Sequence, residues 1–233
     1  CVIFYYVSLS LKRFRQRLRT HIAVALMLGA GVGTAMVMLS IVLQASSDPV
    51  PGRSGSLFRP HLDVRPGAQH AAAPDPGQGL TWPDAKALLD QGYAWNQAAM
   101  AGGAVTLLKP GQSSARLRAR YATSGVFGVL GITLVQGRSW TAEEGQAGSR
   151  IAVLSRALAA VECPAGCIGH PLELSGRTYT VVGVAEDWHP VPMFQGDVTR
   201  RPFVEPDQIY LPVETAIADG LTVVDGVAVW GGG

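Results

Sequence analysis

No lysine in this 233-residue chain follows a glycine, so the phosphate-cradling G-x-x-x-x-G-K-[ST] loop is absent and the chain has no such loop with which to hydrolyse ATP alone. G-x-S-x-G and H-E-x-x-H are missing too, which leaves no nucleophile elbow and no paired-histidine helix on which to found a hydrolase. Charge is scarce, at 15% of residues. From residue 20 onward 14 basic side chains stand against 17 acidic ones, a balance near −3. No concentrated basic face of the kind that neutralises phosphates is visible, so nucleic acid is not an expected partner. Cysteine is nearly absent: Cys1 stands alone, and Cys163 and Cys167 share the short run CPAGC. Two readings of that run stay open, a local disulfide formed in an oxidising space and a pair of free thiols near a turn. A C-x-x-x-C pair with His170 nearby falls short of the four ligands of a structural zinc site, and no metal or other cofactor is expected.

What the chain does have is one long apolar run. Leu11–Gln44 reads LKRFRQRLRTHIAVALMLGAGVGTAMVMLSIVLQ, with Lys12, Arg13, Arg15, Arg17 and Arg19 at its start and no charge after Arg19. As a helix, residues 22–44 reach roughly 35 Å at about 1.5 Å per residue, enough to cross a hydrocarbon core near 30 Å. The run exceeds the 7 to 15 apolar residues, roughly, of a secretory signal, although QASS at Gln44–Ser47 leaves cleavage near Ser46 as an alternative. A core helix would show a polar face, and this one has none. The basic cluster on one flank, with no basic residue on the other until Arg53, places the N-terminus in the cytoplasm and the remainder outside. His21 falls at the membrane edge. GAGVGTA is rejected as a dinucleotide loop because no strand and turn precede it. Gly29 and Gly33 instead form G-x-x-x-G, with Ala30 and Thr34 beside them, either a contact face for another transmembrane helix or merely glycine's ordinary frequency in such helices.

Residues 45–80 are dense in Pro, Gly, Ser and Asp and read as an extended connector, with at most a short strand near Leu57–Val64. A helix is expected from Thr81 as N-cap, through Pro83 and Asp84, to a stop at Gly92. Strands follow at Ala104–Lys109 and Ala115–Ala122, joined as a hairpin. In the second, Ala115, Leu117, Ala119 and Tyr121 alternate with Arg116, Arg118 and Arg120, which predicts one buried face and one solvated basic face. Val126, Phe127 and Leu130 share one side of a short helix ending near Gly131, and Thr141 with Glu144 forms a capping box. Arg150–Leu154 reads as a strand, Ser155–Glu162 as a helix stopped by Cys163 and Pro164, and His170–Trp188 as a hairpin turning at Ser175 and Gly176, whose apolar run Tyr179–Val184 is a central strand. A further strand is expected around Gln208–Leu211, then a short helix. The expected class is α+β: one N-terminal transmembrane helix followed by a domain with a mixed or antiparallel sheet.

The polar run EDWHP offers Glu186, Asp187 and His189 directly after the central strand, where loops often carry function. These three fall within four residues of one turn and no nucleophile and base can be paired with them, so a turn or interface role is expected rather than catalysis, and no catalytic, cofactor or metal residue is assigned.

Three blocks, YATSGVFGVLGITLVQGRSWTAEE, IAVLSRALAA and IGHPLELSGRTYTVVGVAEDW, resemble the periplasmic core domain of MacB/FtsX-type ABC transporter permeases. Phe127, Leu130, Gly131, Ile132, Gly137 and Arg138 fill the first part of that pattern; Ile168, Gly169, Leu172, Leu174, Gly176, Tyr179, Val181, Val182, Gly183 and Val184 fill the second. CPAGC lies outside it. The resemblance implies residues 1–21 as a basic cytoplasmic segment, 22–44 as the first membrane helix, 45–80 as connector and 81–233 as the core domain. It implies a permease subunit in the bacterial inner membrane, partnered by an ABC ATPase subunit and other transmembrane helices, without enzymatic activity of its own. Permeases of this kind continue into further membrane helices, whereas this chain reaches VAVWGGG with no second apolar span and is therefore expected to be truncated before them. The competing class is a single-span anchored extracytoplasmic sensor or interaction domain.

Overall fold

The computed structural model describes residues 18–46, 48, 50, 52–60, 79–109, 111, 113–190, 205–223 and 227–232. The chain divides into two compact units, Cys1–Ser47 and Asp48–Gly233. In the first, helix α1 covers Leu18–Ala45 and is long and apolar enough to cross a membrane. Every described side chain along Leu18–Gln44 is exposed, so the helix carries an apolar surface on all sides. Two of its hydroxyls are satisfied internally, Thr34 Oγ1 donating to the Ala30 carbonyl at 2.8 Å and Ser40 Oγ to that of Met36 at 2.9 Å.

The second unit is built on a mixed sheet. Its strands are β1 (Leu57–Phe58), β2 (Asn96–Leu108), β3 (Ala115–Ala122), β4 (Leu134–Gly137), β5 (Ile151–Ser155), β6 (Pro171–Leu174), β7 (Arg177–Ala185), β8 (Ile209–Pro212) and β9 (Ala228–Gly232). They lie in the order β1-β9-β2-β3-β8-β5-β7-β4, with β6 pairing both β7 and β2. The pairs β3/β8 and β5/β7 are parallel, the others antiparallel. Because β6 reaches β2 through Leu174↔Leu107 and Glu173↔Leu108, the strands β2, β3, β8, β5, β7 and β6 close into a ring. The expected α+β class with a mixed sheet is thus what the chain forms.

Among the described residues, five short helices pack around it: α2 (Trp82–Gln91), α3 (Val126–Leu130), α4 (Ala142–Gln146), α5 (Arg156–Glu162) and α6 (Val213–Ala218). Their ends follow local chemistry. Thr81 Oγ1 accepts from the Asp84 N–H, and Gly92 ends α2 in the left-handed region at φ +64. Thr141 and Glu144 cap α4 reciprocally, as expected of a capping box. Gly131, left-handed at φ +67, ends α3.

Both faces of the sheet are buried. One carries Val105, Leu107, Leu117, Tyr121, Leu154, Tyr179, Val181, Ile209 and Leu211, roofed in part by Leu158 and Ala159 of α5. The other carries Met100, Ala122, Val153, Ala185 and Tyr210 against Val126, Phe127 and Leu130 of α3 and Trp140. The Phe127 ring meets Trp140 edge-on at 5.3 Å. Beyond these, α2 sets Ala85 on Ala99, Ala101, Val227 and Val229. This two-sided burial corrects the expectation for β3: Arg116 is exposed and Arg118 half-buried, but Arg120 is buried, because β3 is interior to the sheet and α3 covers its second face. The first hairpin strand also begins eight residues before the expected Ala104, and the strand near Leu57 ends at Phe58, with residues 61–64 outside the described set.

Candidate functional site

The entry of the chain into the second unit is a tight, self-capped turn. The Asp48 carboxylate accepts from the backbone N–H of Val50 at 3.1 Å and of Gly52 at 3.3 Å, and from the Ser54 hydroxyl. These bonds, led by that from Ser54, hold its pKa below the usual carboxylate value. Val50 is buried, and Arg53 Nη1 donates to the Gly128 carbonyl of α3 at 2.6 Å. A stretch rich in Pro, Gly and Ser is therefore fastened to the sheet through α3 within a few residues of the apolar helix.

The most deeply placed charges are Arg120 and Asp207, whose Nε and Oδ2 lie 2.8 Å apart with side chains 4% and 2% exposed. β3 and β8 run parallel here, with Arg120 opposite Tyr210. Gln208 fixes the same register from the next position, its Oε1 accepting from Arg118 N–H and its own N–H donating to the Arg118 carbonyl, both at 3.0 Å. The Tyr210 hydroxyl is pushed well above its ordinary pKa by burial and, second, by the Asp207 charge. Such a buried pair is costly to break.

A second ionic tie gathers around Asp219, past the end of α6. Its carboxylate accepts from Arg150 Nη2 at 2.7 Å and Nε at 2.8 Å and from the Tyr179 hydroxyl at 2.8 Å, with Arg177 Nε at 4.0 Å. The bond from Arg150 leads the depression of its pKa. On the surface, Arg138 grips Glu144 bidentately at 2.7 Å and lowers that carboxyl to about 2.

The polar residues picked out in EDWHP do not converge on one point. Asp187 Oδ1 accepts from the Ala157 N–H at 3.0 Å at the start of α5, and Glu186 approaches Arg156 at 3.3 Å. Both acids thus sit at the positive end of a helix, beside Ser155, whose hydroxyl accepts from Leu158. His189 is exposed. Cys163 and Cys167 are joined as a disulfide, which decides between the two readings of CPAGC. Among the described residues no group of three His, Cys, Asp or Glu side chains could hold a metal ion. A groove of about 510 Å³ follows the β2/β6 seam, lined among others by Lys109, Glu162, His170 and Glu173; Lys109 and Glu162 pair across it at 2.8 Å. The sequence reading missed Arg53, Asp207 and Asp219, each of which answers a partner at least 69 positions away; no local spacing signals such pairs.

The assembled features pin the registers of the sheet and fasten its entry turn. The family model described as MacB-like periplasmic core domain matches residues 22–229. Among solved structures, the periplasmic region of MacB from Actinobacillus actinomycetemcomitans superposes with a TM-score of 0.52 at 18% identity, covering 76% of this chain and 73% of that one. The extracellular domain of the noncanonic ABC-type transporter YknZ from Gram-positive bacteria gives a TM-score of 0.49 at 16% identity, covering 76% and 82%. No curated protein matches the sequence.

Proposed function

The chain belongs to the MacB-like periplasmic core domain family, and from that membership we propose that it is a permease-type subunit of an ABC transporter in the bacterial inner membrane. The observation that carries this reading is that the family match extends from Ile22 in the apolar helix to Val229 in the last strand. The N-terminus lies in the cytoplasm and Asp48–Gly233 in the periplasm, as the five basic residues before Thr20 favour. ATP is hydrolysed by a partner subunit, and this chain catalyses no reaction itself.

Its task is mechanical. When partner helices shift, α1 moves, and the turn at Asp48–Ser54 passes the displacement through Arg53 to α3 and the sheet. A body whose two faces are both packed and whose registers are pinned by Arg120–Asp207 and Arg150–Asp219 moves as a unit. Gly29 and Gly33 provide the approach face for a second transmembrane helix, from another copy or another subunit. The movement serves export of a substrate or relay of a signal across the membrane.

The test is purification of the full chain from its native membrane in mild detergent. A vanadate-sensitive ATPase should accompany it, and should be lost when residues 1–44 are replaced by an unrelated single-span anchor. A chain that purifies with no ATP hydrolysis would instead be an anchored sensor or interaction domain.

A further inference from the structure

Three aromatic side chains stand out of the second unit at one end of its sheet. Trp95 is 97% exposed, Tyr93 76% and Phe58 51%. At the β1/β9 edge Phe58 pairs with Gly231, and a side chain added to Gly231 would meet the Phe58 ring at 2.5 Å and the Cβ of Ala94, the residue between Tyr93 and Trp95, at 3.0 Å. Asn96, next after Trp95, pairs with Gly232.

The loop that carries Tyr93 and Trp95 is held at its base. Gly92 caps α2 in the left-handed region with its N–H on the Leu89 carbonyl at 3.1 Å, and the Gln97 side-chain amide donates to that same carbonyl. The two rings are therefore displayed by a braced turn. Leaving a tryptophan wholly in water forgoes the burial of roughly 150–250 Å² that such a ring brings to a packed site. On the neighbouring helix α2, Lys86 and Asp90 neutralise each other at 2.9 Å.

Covalent distance says which partner is within reach. Four peptide units separate Gln44 from Asp48, a span of at most about 14 Å. From Asp48 the chain coils through a turn and a 3-10 helix at Ser54–Ser56 before entering β1, so Phe58 is a short folded path from the apolar helix. Amphipathic Trp and Tyr rings concentrate at the headgroup level of membranes, where the ring is half-desolvated and its N–H or O–H stays wet.

We propose that the Gly92–Trp95 loop, with Phe58, rests on the lipid interface of the membrane that α1 crosses. The proposal depends on α1 being a membrane span. The contact gives the outer domain a second support beside its covalent tether, so a shift of α1 turns the domain about two fixed points rather than one.

The test uses the full chain reconstituted in phosphatidylethanolamine–phosphatidylglycerol vesicles, with and without lipids brominated in the upper part of the acyl chain. Bromine quenches a tryptophan that lies at the interface. The expected result is bromolipid quenching that is lost in Trp95→Phe and regained when Tyr93→Trp is added to that variant. Equal quenching in the parent and in Trp95→Phe would overturn the proposal. So would protection of Trp95 from aqueous acrylamide without quenching by bromolipid, which would mean a protein partner covers it. Extraction by alkaline carbonate checks the premise separately: a chain that stays with the vesicles but shows no Trp95 quenching keeps its span and loses this contact, whereas a chain that is extracted loses both.

Discussion

Gly137 and Gly183 face each other across β4 and β7, and neither position has room for a side chain. A Cβ on Gly137 would lie 2.2 Å from the Val182 carbonyl oxygen, and one on Gly183 would lie 2.3 Å from that of Arg138. Gly137 also has φ +68, a left-handed conformation that only glycine adopts at little cost. Two glycines of the family pattern, far apart in sequence, are thus one structural feature, a crossing of two backbones at the edge of the sheet.

Gly137→Ala should therefore destabilise the outer domain by about 2 kcal/mol or more, combining backbone strain with the clash. Gly111→Ala, left-handed at φ +72 but with open space around it, should cost less. Chemical denaturation of the full chain in detergent compares the two; equal losses would mean that the backbone crossing adds nothing to the strain.

Removing Arg120 should be severe, because it leaves the Asp207 carboxylate with almost no access to water. Arg120→Met is expected to cost about 3–5 kcal/mol, and replacing both residues with apolar side chains of similar volume much less. A double-mutant cycle in urea measures the difference. Additive losses would show that the two residues do not act as a pair.

How much of this was legible beforehand follows the range of the interactions. Thr81, Thr141 with Glu144, Gly131 and the Ser175–Gly176 turn act within a few residues, and the sequence announces them. The alternation in β3 correctly placed Arg120 on the face opposite Tyr121. It could not reveal that α3 closes over that face, or that Asp207 waits there 87 positions later. The start of β2 reads NQAAMAGG, whose alanines and glycines have weak strand preference; β3 and β9 on either side hold it as a strand. β9 itself, at Ala228–Gly232, was missed for the same reason: pairing with β2, rather than composition, defines it.

Glu214 supplies a pH prediction. Its carboxyl lies against Gly145 of α4 and near Trp140, with Oε2 buried and no hydrogen-bond partner for that atom among the described residues. Burial raises its pKa, and the Lys86 charge offsets this in part. A carboxyl whose folded pKa lies above its unfolded one stabilises the fold at pH below the unfolded value, about 4.3, and that contribution is lost as pH rises through the folded value. Glu214→Gln should accordingly raise Tm at pH 7 and bring no gain at pH 4. A gain independent of pH would rule out titration as its cause.

The Cys163–Cys167 disulfide closes a very short loop, for which loop-closure entropy predicts a contribution of about 2 kcal/mol. A Cys163→Ser/Cys167→Ser variant should lose that much, and the parent protein treated with reductant should fall to the same stability. Both thiols reacting freely in protein taken directly from membranes would contradict the disulfide.

The central claim is that ATP bound on one side of the membrane moves a domain on the other. Hydrogen–deuterium exchange of the outer domain, measured on the purified complex with its ATPase, tests it most directly. Adding ATP with vanadate should change exchange in the entry turn Asp48–Phe58 and in α3, which Arg53 joins, while β3, β5 and β7 exchange as before. Identical exchange throughout, with the ATPase bound and active, would contradict the account.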